Sequence, residues 1–191
     1  GAARIDDVDL KSYYVSFLKG TMELSRRYQS SIMEGLKVAY CGTRGAFAHI
    51  AASKIFPSAI KVAYTSFKKA YDAVENGECD CAVLPIENSF AGDVGQVNDL
   101  MFSGDLFVNG MYDLPVTHDL LGVEGATVKD IKTVVSHPQA LSQCSAFIKG
   151  NELKEIEYSN TALAAEYVKT QNDKSVAAVA SAESAKLFGL E

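Results

Sequence analysis

Short apolar runs, each leading into a polar turn and then a helical stripe, recur along this chain and leave it few folds to choose from. Residues 36–40, 60–64, 81–84, 132–135, 156–158 and 176–180 read as strands. Helical patterns over 46–55, 67–77, 138–150, 161–169 and 181–189 separate them. Parallel strands need a crossover of helix length between them, so this alternation implies α/β architecture with mostly parallel sheets. Ligand-binding groups in such folds stand just past the carboxyl ends of strands.

Three such positions carry clustered polar residues. Cys81-Ala82-Val83 runs into Leu84-Pro85-Ile86-Glu87-Asn88-Ser89-Phe90-Ala91-Gly92, where Pro85 ends the strand because it cannot donate to a ladder. Alone, this stretch is equally well a strand-end turn whose side chains cap the next helix. Val134-Val135 delivers Ser136-His137-Pro138-Gln139-Ala140-Leu141-Ser142-Gln143-Cys144, and Ser159-Asn160-Thr161-Ala162-Leu163-Ala164-Ala165 opens a helix. In that order, and with Val38-Ala39-Tyr40-Cys41-Gly42 and Gly45-Ala46-Phe47 before them, these motifs resemble the prephenate dehydratase family from about Lys37 to the last residue. Each motif is weak alone; the set is specific.

The resemblance implies two lobes of the type II periplasmic-binding-protein kind with a site between them, here residues 36–112 and 113–191. It implies decarboxylative dehydration of prephenate to phenylpyruvate in phenylalanine biosynthesis, in the cytoplasm, by a homodimer without cofactor or metal. Hydroxide is a poor leaving group, so a donor must assist its departure, whereas carboxylate loss needs no base because its electrons complete the aromatic ring. Orientation, acid assistance and anchoring of two carboxylates remain for the protein to supply. Carried over by motif, Asn88, Ser136 and Gln143 are the expected catalytic residues. Gly42, Thr43, Ser89, Gly92, His137, Asn160 and Thr161 are expected to bind substrate. The helix starts at Gly45-Ala46, Pro138-Gln139 and Thr161-Ala162 should offer amides to anions. The family also carries a Thr-Arg-Phe tripeptide after the last helix, and its Thr is the residue tied most closely to catalysis. The sequence given ends at Gly189-Leu190-Glu191, so poor activity of these residues alone is the expectation. Thr43 stands where the family has Pro, Arg44 where an acid is common, and Met111 where a Glu is expected. A two-lobed anion-binding module without chemistry would share the fold, and a purely structural α/β domain would leave the clustered polar helix starts unexplained.

Residues 6–33 read as one helix, with Leu10, Tyr14, Phe17, Leu18, Met22 and Ile32 near a 3.6 period and Gly35 as its stop. Ser25 and Gln29 share one face. Residues 22–29 look like the last helix of an all-helical chorismate mutase, making 1–35 a helical remnant. The rest of that bundle is not in this sequence, so no mutase activity is expected. The apolar face of the helix should be buried on the following domain or on a second copy.

Net charge is −6 with no basic cluster, which disfavours nucleic acid as a partner, and no apolar run is long enough for a membrane span. No secretion leader is legible. Cys79-x-Cys81 has the wrong spacing for zinc; with Cys41 and Cys144 these read as buried thiols in a reducing compartment. His49 and His118 are expected to be structural, His137 to cap or pack at a helix start, and Arg44 to face solvent.

Overall fold

The computed structural model describes residues 7–90 and 92–191. Asp6, the expected first helical residue, and Ala91 lie outside the described residues. Helix α1 (Val8–Glu34) has 27 residues. Asp7 caps it, its Oδ1 accepting the Leu10 N–H at 2.9 Å. Gly35, at φ +83°, turns the chain into the first sheet. The following domain does not cover this helix, contrary to one of the two expectations: Phe17 is 69% and Ile32 65% exposed. The reason is that the first sheet already has a helix on each face.

That sheet holds β1 (Lys37–Cys41), β2 (Ile60–Tyr64) and β3 (Cys81–Val83), parallel in the order β2-β1-β3, connected by α2 (Phe47–Ile55) and α3 (Phe67–Glu75). Alternation along β1 serves both faces. Val38 and Tyr40 pack with Ala52 of α2, while Ala39 packs with Ala70 and Ala73 of α3. Ser66 caps α3 through the Lys69 N–H at 3.2 Å. Beyond β3 the chain forms a two-residue antiparallel hairpin, β4 (Glu87–Asn88) with β5 (Gly92–Asp93), and then α4 (Gly95–Ser103).

Residues 104–118 lie in no strand, although 106–108 and 114–116 have strand composition. Phe107 is 88% and Met111 79% exposed. Strand propensity describes side chains that fit a paired, half-buried surface; without a pairing partner it does not make a strand. One anchor fixes the start of this stretch. The Leu106 N–H donates to Tyr71 Oη at 3.0 Å.

The second sheet comprises β6 (Asp119–Leu121), β7 (Thr133–Ser136), β8 (Lys154–Glu157) and β9 (Val176–Ala180), in the order β6-β9-β7-β8. β7, β8 and β9 are parallel, and β6 runs antiparallel to β9, the exception to the expected parallel pattern. The single helix expected over 138–150 is two: α5 (Pro138–Gln143) and α6 (Ser145–Gly150), broken at Cys144, φ −98° and ψ 9°. α7 (Thr161–Gln171) packs Ala164, Ala165 and Val168 on one face of this sheet, and α5 and α6 pack Leu141 and Ile148 on the other. α8 (Ala182–Phe188), capped by Ser181, closes the described chain and stops at Gly189, φ +63°.

Gly104 lies against Tyr71: a Cβ there would stand 2.1 Å from Tyr71 Oη and 2.8 Å from the Leu100 carbonyl oxygen. Gly104→Ala therefore has to displace the anchor and should cost about 1–3 kcal/mol, read as a lower denaturant midpoint at unchanged slope. Tyr71→Phe removes only the acceptor and should cost about 1 kcal/mol.

His49 of α2 accepts the Gly45 N–H on Nδ1 at 3.3 Å and tilts against Tyr40, centroids 5.2 Å apart. Burial, then the Arg44 and Lys61 charges, hold its pKa below the ordinary value. The unfolded chain thus takes up a proton at higher pH than the folded one. The stability from neutral His49 is fully present above about pH 6.5 and is lost as pH falls toward the lowered folded value. The melting temperature should fall between pH 7.5 and 5.5, and His49→Gln, which keeps an acceptor for Gly45, should flatten that fall. An equally steep profile in the variant would assign the dependence to other groups.

Candidate functional site

The second sheet gathers polar residues along one edge. Because β7, β8 and β9 are parallel, Ser136, Asn160-Thr161 and Ser181 all follow carboxyl ends on the same side. Because β6 is antiparallel, its beginning lies there too, with Asp119 opposite Ala180. His118 precedes it and so joins the same edge.

The turn between β1 and α2 in the first half of the chain reaches this edge. Gly42, φ +114°, donates its N–H to the Tyr64 carbonyl at 2.9 Å, so the turn starts as a continuation of the sheet. Gly45, φ +91°, meets the second half directly: its carbonyl accepts Ser184 Oγ–H at 3.3 Å. A Cβ on Gly45 would lie 3.1 Å from Leu187 Cδ2 and 3.3 Å from Ala162 Cβ. Lys54 and Glu183 add an ion pair at 3.6 Å, exposed and therefore worth little. The edge of the His118 ring stands against the Phe47 ring, centroids 5.7 Å apart. A cavity of about 270 Å³ opens between Thr43 and Arg44 on one side and Ala162, Leu163, Glu166, Leu187 and Phe188 on the other. Thr43 Oγ1 is buried and has no hydrogen-bond partner among the described residues. Arg44 is exposed, as expected, but also lines this cavity.

Several expected site residues are engaged in holding the fold. Ser136 is fully buried and its hydroxyl donates to the Val179 carbonyl at 2.5 Å, tying β7 to β9. Its proton is thus directed into the sheet and not toward a ligand. His137 caps α5, with Nδ1 accepting the Gln139 N–H at 3.3 Å, and Asn160 caps α7, with Oδ1 accepting the Leu163 N–H at 2.8 Å. Two of the three helix starts are therefore already capped by side chains. The third, at Ala46, carries no side-chain cap, though its approach is partly closed: the Gly45 N–H goes to His49 and the Ala46 N–H to the Thr43 carbonyl at 3.1 Å. Thr161 is 9% exposed at the first turn of α7, beside Ala162 and the Gly45 contact.

Asn88, Ser89 and Gly92 occupy the small hairpin on the carboxyl side of the first sheet. Asn88 pairs with Gly92, and its Oδ1 accepts the Phe90 N–H at 2.9 Å, shaping the turn. That bond belongs to the hairpin, and α4 has no side-chain cap, so the helix-capping alternative for this motif does not hold. Gln143 is half-buried where α5 breaks, and its Oε1 lies 2.7 Å from His118 Nε2. This pair was not legible in the sequence, because nothing local announces that β6 reverses direction and brings His118 to the carboxyl edge.

All four cysteines are free thiols. Burial pushes the Cys41, Cys81 and Cys144 thiols up, away from the reactive thiolate. Among the described residues no group of three or more His, Cys, Asp or Glu side chains is placed to hold a metal, and no helix is long and apolar enough to cross a membrane. The arrangement offers neutral hydrogen-bond donors and one uncapped helix start on facing edges, suited to holding an anion in one orientation.

Known proteins resemble this chain over most of its length. The prephenate dehydratase family model matches residues 38–191. A chloroplastic arogenate dehydratase/prephenate dehydratase of Arabidopsis thaliana is 39% identical over 168 residues, 87% of this chain and 44% of that protein. A bifunctional chorismate mutase/prephenate dehydratase of Buchnera aphidicola is 37% identical over 80% of this chain and 41% of its own length. The chain thus spans about two fifths of the length of these curated relatives. Among solved structures, a protein described as a novel type of quorum quenching acylase, GqqA, superposes with a TM-score of 0.73 at 34% identity, covering 81% of this chain and 57% of its own. The prephenate dehydratase of Staphylococcus aureus superposes with a TM-score of 0.72 at 26% identity, covering 82% and 58%. With the family match running from β1 to the last residue, over the motifs that build both polar edges, the chain belongs to the prephenate dehydratase family.

Proposed function

We propose that this protein binds prephenate between residues 36–112 and 113–191, acting as two lobes, and serves its decarboxylative dehydration to phenylpyruvate in phenylalanine biosynthesis. The observation that carries this is the seating of the β1–α2 turn at Gly45 on the edge that holds Thr161 and Gln143. Both halves of the chain line the cavity beside this contact, Thr43 and Arg44 from one and Ala162 and Leu163, next to Thr161, from the other, and a substrate with two carboxylates and a ring hydroxyl calls for groups from both sides. The Gln143 amide, the Thr161 hydroxyl and the first-turn amides of α2 are the groups proposed to hold its oxygens, with Asn88, Ser89 and Gly92 of the hairpin as further proposed contacts. Ser136, His137 and Asn160 act here by fixing the strand end and helix starts.

Acyl transfer, the chemistry of an acylase, asks for a nucleophile beside a base. In this chain the ring nitrogens of His49, His118 and His137 that make hydrogen bonds meet the Gly45 amide, the Gln143 carboxamide and the Gln139 amide. The site therefore favours dehydration over acyl transfer.

The stretch 1–35, which contains α1, is proposed as the end of an all-helical mutase, supported by Ser25 and Gln29 four residues apart and by the bifunctional relative. A cytoplasmic homodimer completes the reading, and the exposed apolar side chains of α1 support the dimer. Sedimentation showing only monomer at micromolar concentration would count against the dimer.

Titration calorimetry of the 191-residue chain with prephenate, and with arogenate in parallel, tests the proposal. Prephenate should bind. Thr161→Val and Asn88→Ala should each weaken it roughly tenfold or more, the scale of one hydrogen bond to a charged group. Ser103→Ala, on the exposed surface of α4, should leave affinity unchanged. Absence of binding, or equal affinity in all variants, overturns the site. Phenylpyruvate formation by a chain extended through the Thr-Arg-Phe tripeptide separates an enzyme from an anion-binding module of the same fold.

A further inference from the structure

A carboxamide presents one acceptor and two donors in nearly the same shape, so a glutamine that binds a ligand needs something to fix which end points where. For Gln143 that something is visible. Its Oε1 lies 2.7 Å from His118 Nε2. An amide oxygen only accepts, so with Oε1 on that side the bond requires the Nε2–H tautomer of His118. The Gln143 Nε2 then points away from the ring, with no protein hydrogen bond among the described residues.

The surroundings of His118 fit this duty. Its ring is held by an edge contact to Phe47, the first residue of α2. It enters β6, whose antiparallel pairing sets it on the carboxyl edge beside α5. Its Nδ1 is buried without a partner among the described residues. A buried ring nitrogen without a partner is costly and asks for a reason. The reason supplied here is that only the Nε2–H tautomer orients the glutamine. Gln143 closes α5 at the Cys144 break, where the backbone alone does not fix its amide.

We propose that His118 is a positioning residue for Gln143, holding the amide oxygen so that the amide N–H₂ faces the cleft as a donor to an anionic oxygen of the bound dicarboxylate. This rests on the cleft being the prephenate site. His118 touches no substrate; it decides the polarity of the group that does.

A double-mutant cycle read by prephenate calorimetry tests it. His118→Phe keeps a ring against Phe47 and removes the donor; it should weaken binding roughly ten- to a hundredfold. His118→Gln returns a donor near the Nε2 position and should recover most of that loss. In a Gln143→Ala background, His118→Phe should have no further effect. Equal losses from His118→Phe in both backgrounds, or none in the first, would mean that His118 only packs, and the proposal falls while the cleft stands. No prephenate binding by the unmodified chain, or full affinity in Gln143→Ala, removes the cleft assignment and this inference with it. A measurement on the unmodified protein guards against variants that fail to fold: at pH 8 the ¹⁵N shifts of His118 should report the proton on Nε2, and a proton on Nδ1 overturns the proposal.

Discussion

The contact at Gly45 is the constraint on which the site depends. A left-handed turn residue carries no side chain, so the backbone of the β1–α2 turn comes within van der Waals reach of α7 and α8. Ala162 supplies the small partner on α7, and Ser184 on α8 supplies a buried hydroxyl for the Gly45 carbonyl. The pairing is specific in size and in polarity. A larger residue at either alanine or glycine position would hold the two sheets apart, and a carbonyl buried without Ser184 would be left unsatisfied. The facing of the two polar edges therefore follows from small residues, not from charged ones.

Polar residues near a ligand site divide by what their hydrogen bonds already do. Ser136, His137, Asn160 and Ser181 are each engaged with backbone groups at a strand end or helix start. They are placed where ligand-binding residues stand in α/β sheets, yet their first duty is to satisfy amides and carbonyls that the topology leaves open. Gln143, Thr161 and Thr43 differ, because none has all its polar atoms met by backbone. Position beyond a strand nominates a residue; leftover hydrogen-bonding capacity selects it.

This division also explains what could be read from the sequence. β2, β9, the Ser181 cap and the stop at Gly189 are dictated by local alternation, a short hydroxyl side chain and a glycine at positive φ. Each signal lies within a few residues of its effect. The reversal of β6 and the bond from His118 to Gln143 depend on residues far apart in the chain. Residues 106–108 show the converse. Their composition suits a strand, but composition supplies no partner, and Phe107 and Val108 stay exposed outside any strand. Motif order carried the family, whereas the hydrogen bonds of individual polar residues needed the structure.

Anion binding by a chain of net charge −6 needs a local source of positive potential. Arg44 is one candidate, but Glu166 lines the same cavity and offsets it. α5 has six residues, too few to build a large dipole, and its first amides are interrupted by Pro138 and met by His137. α7 is longer, with Asn160 on one of its first amides. α2 has nine residues, no side-chain cap and, in its first turn, a His49 whose pKa is held below the ordinary value, so that a protonated imidazole does not compete with the turn amides. The positive end of α2 is thus the least compensated of the three. The Gly45 contact is what points it at the opposite edge. The same glycine that lets the two halves of the chain meet therefore also aims the field that would draw an anion between them.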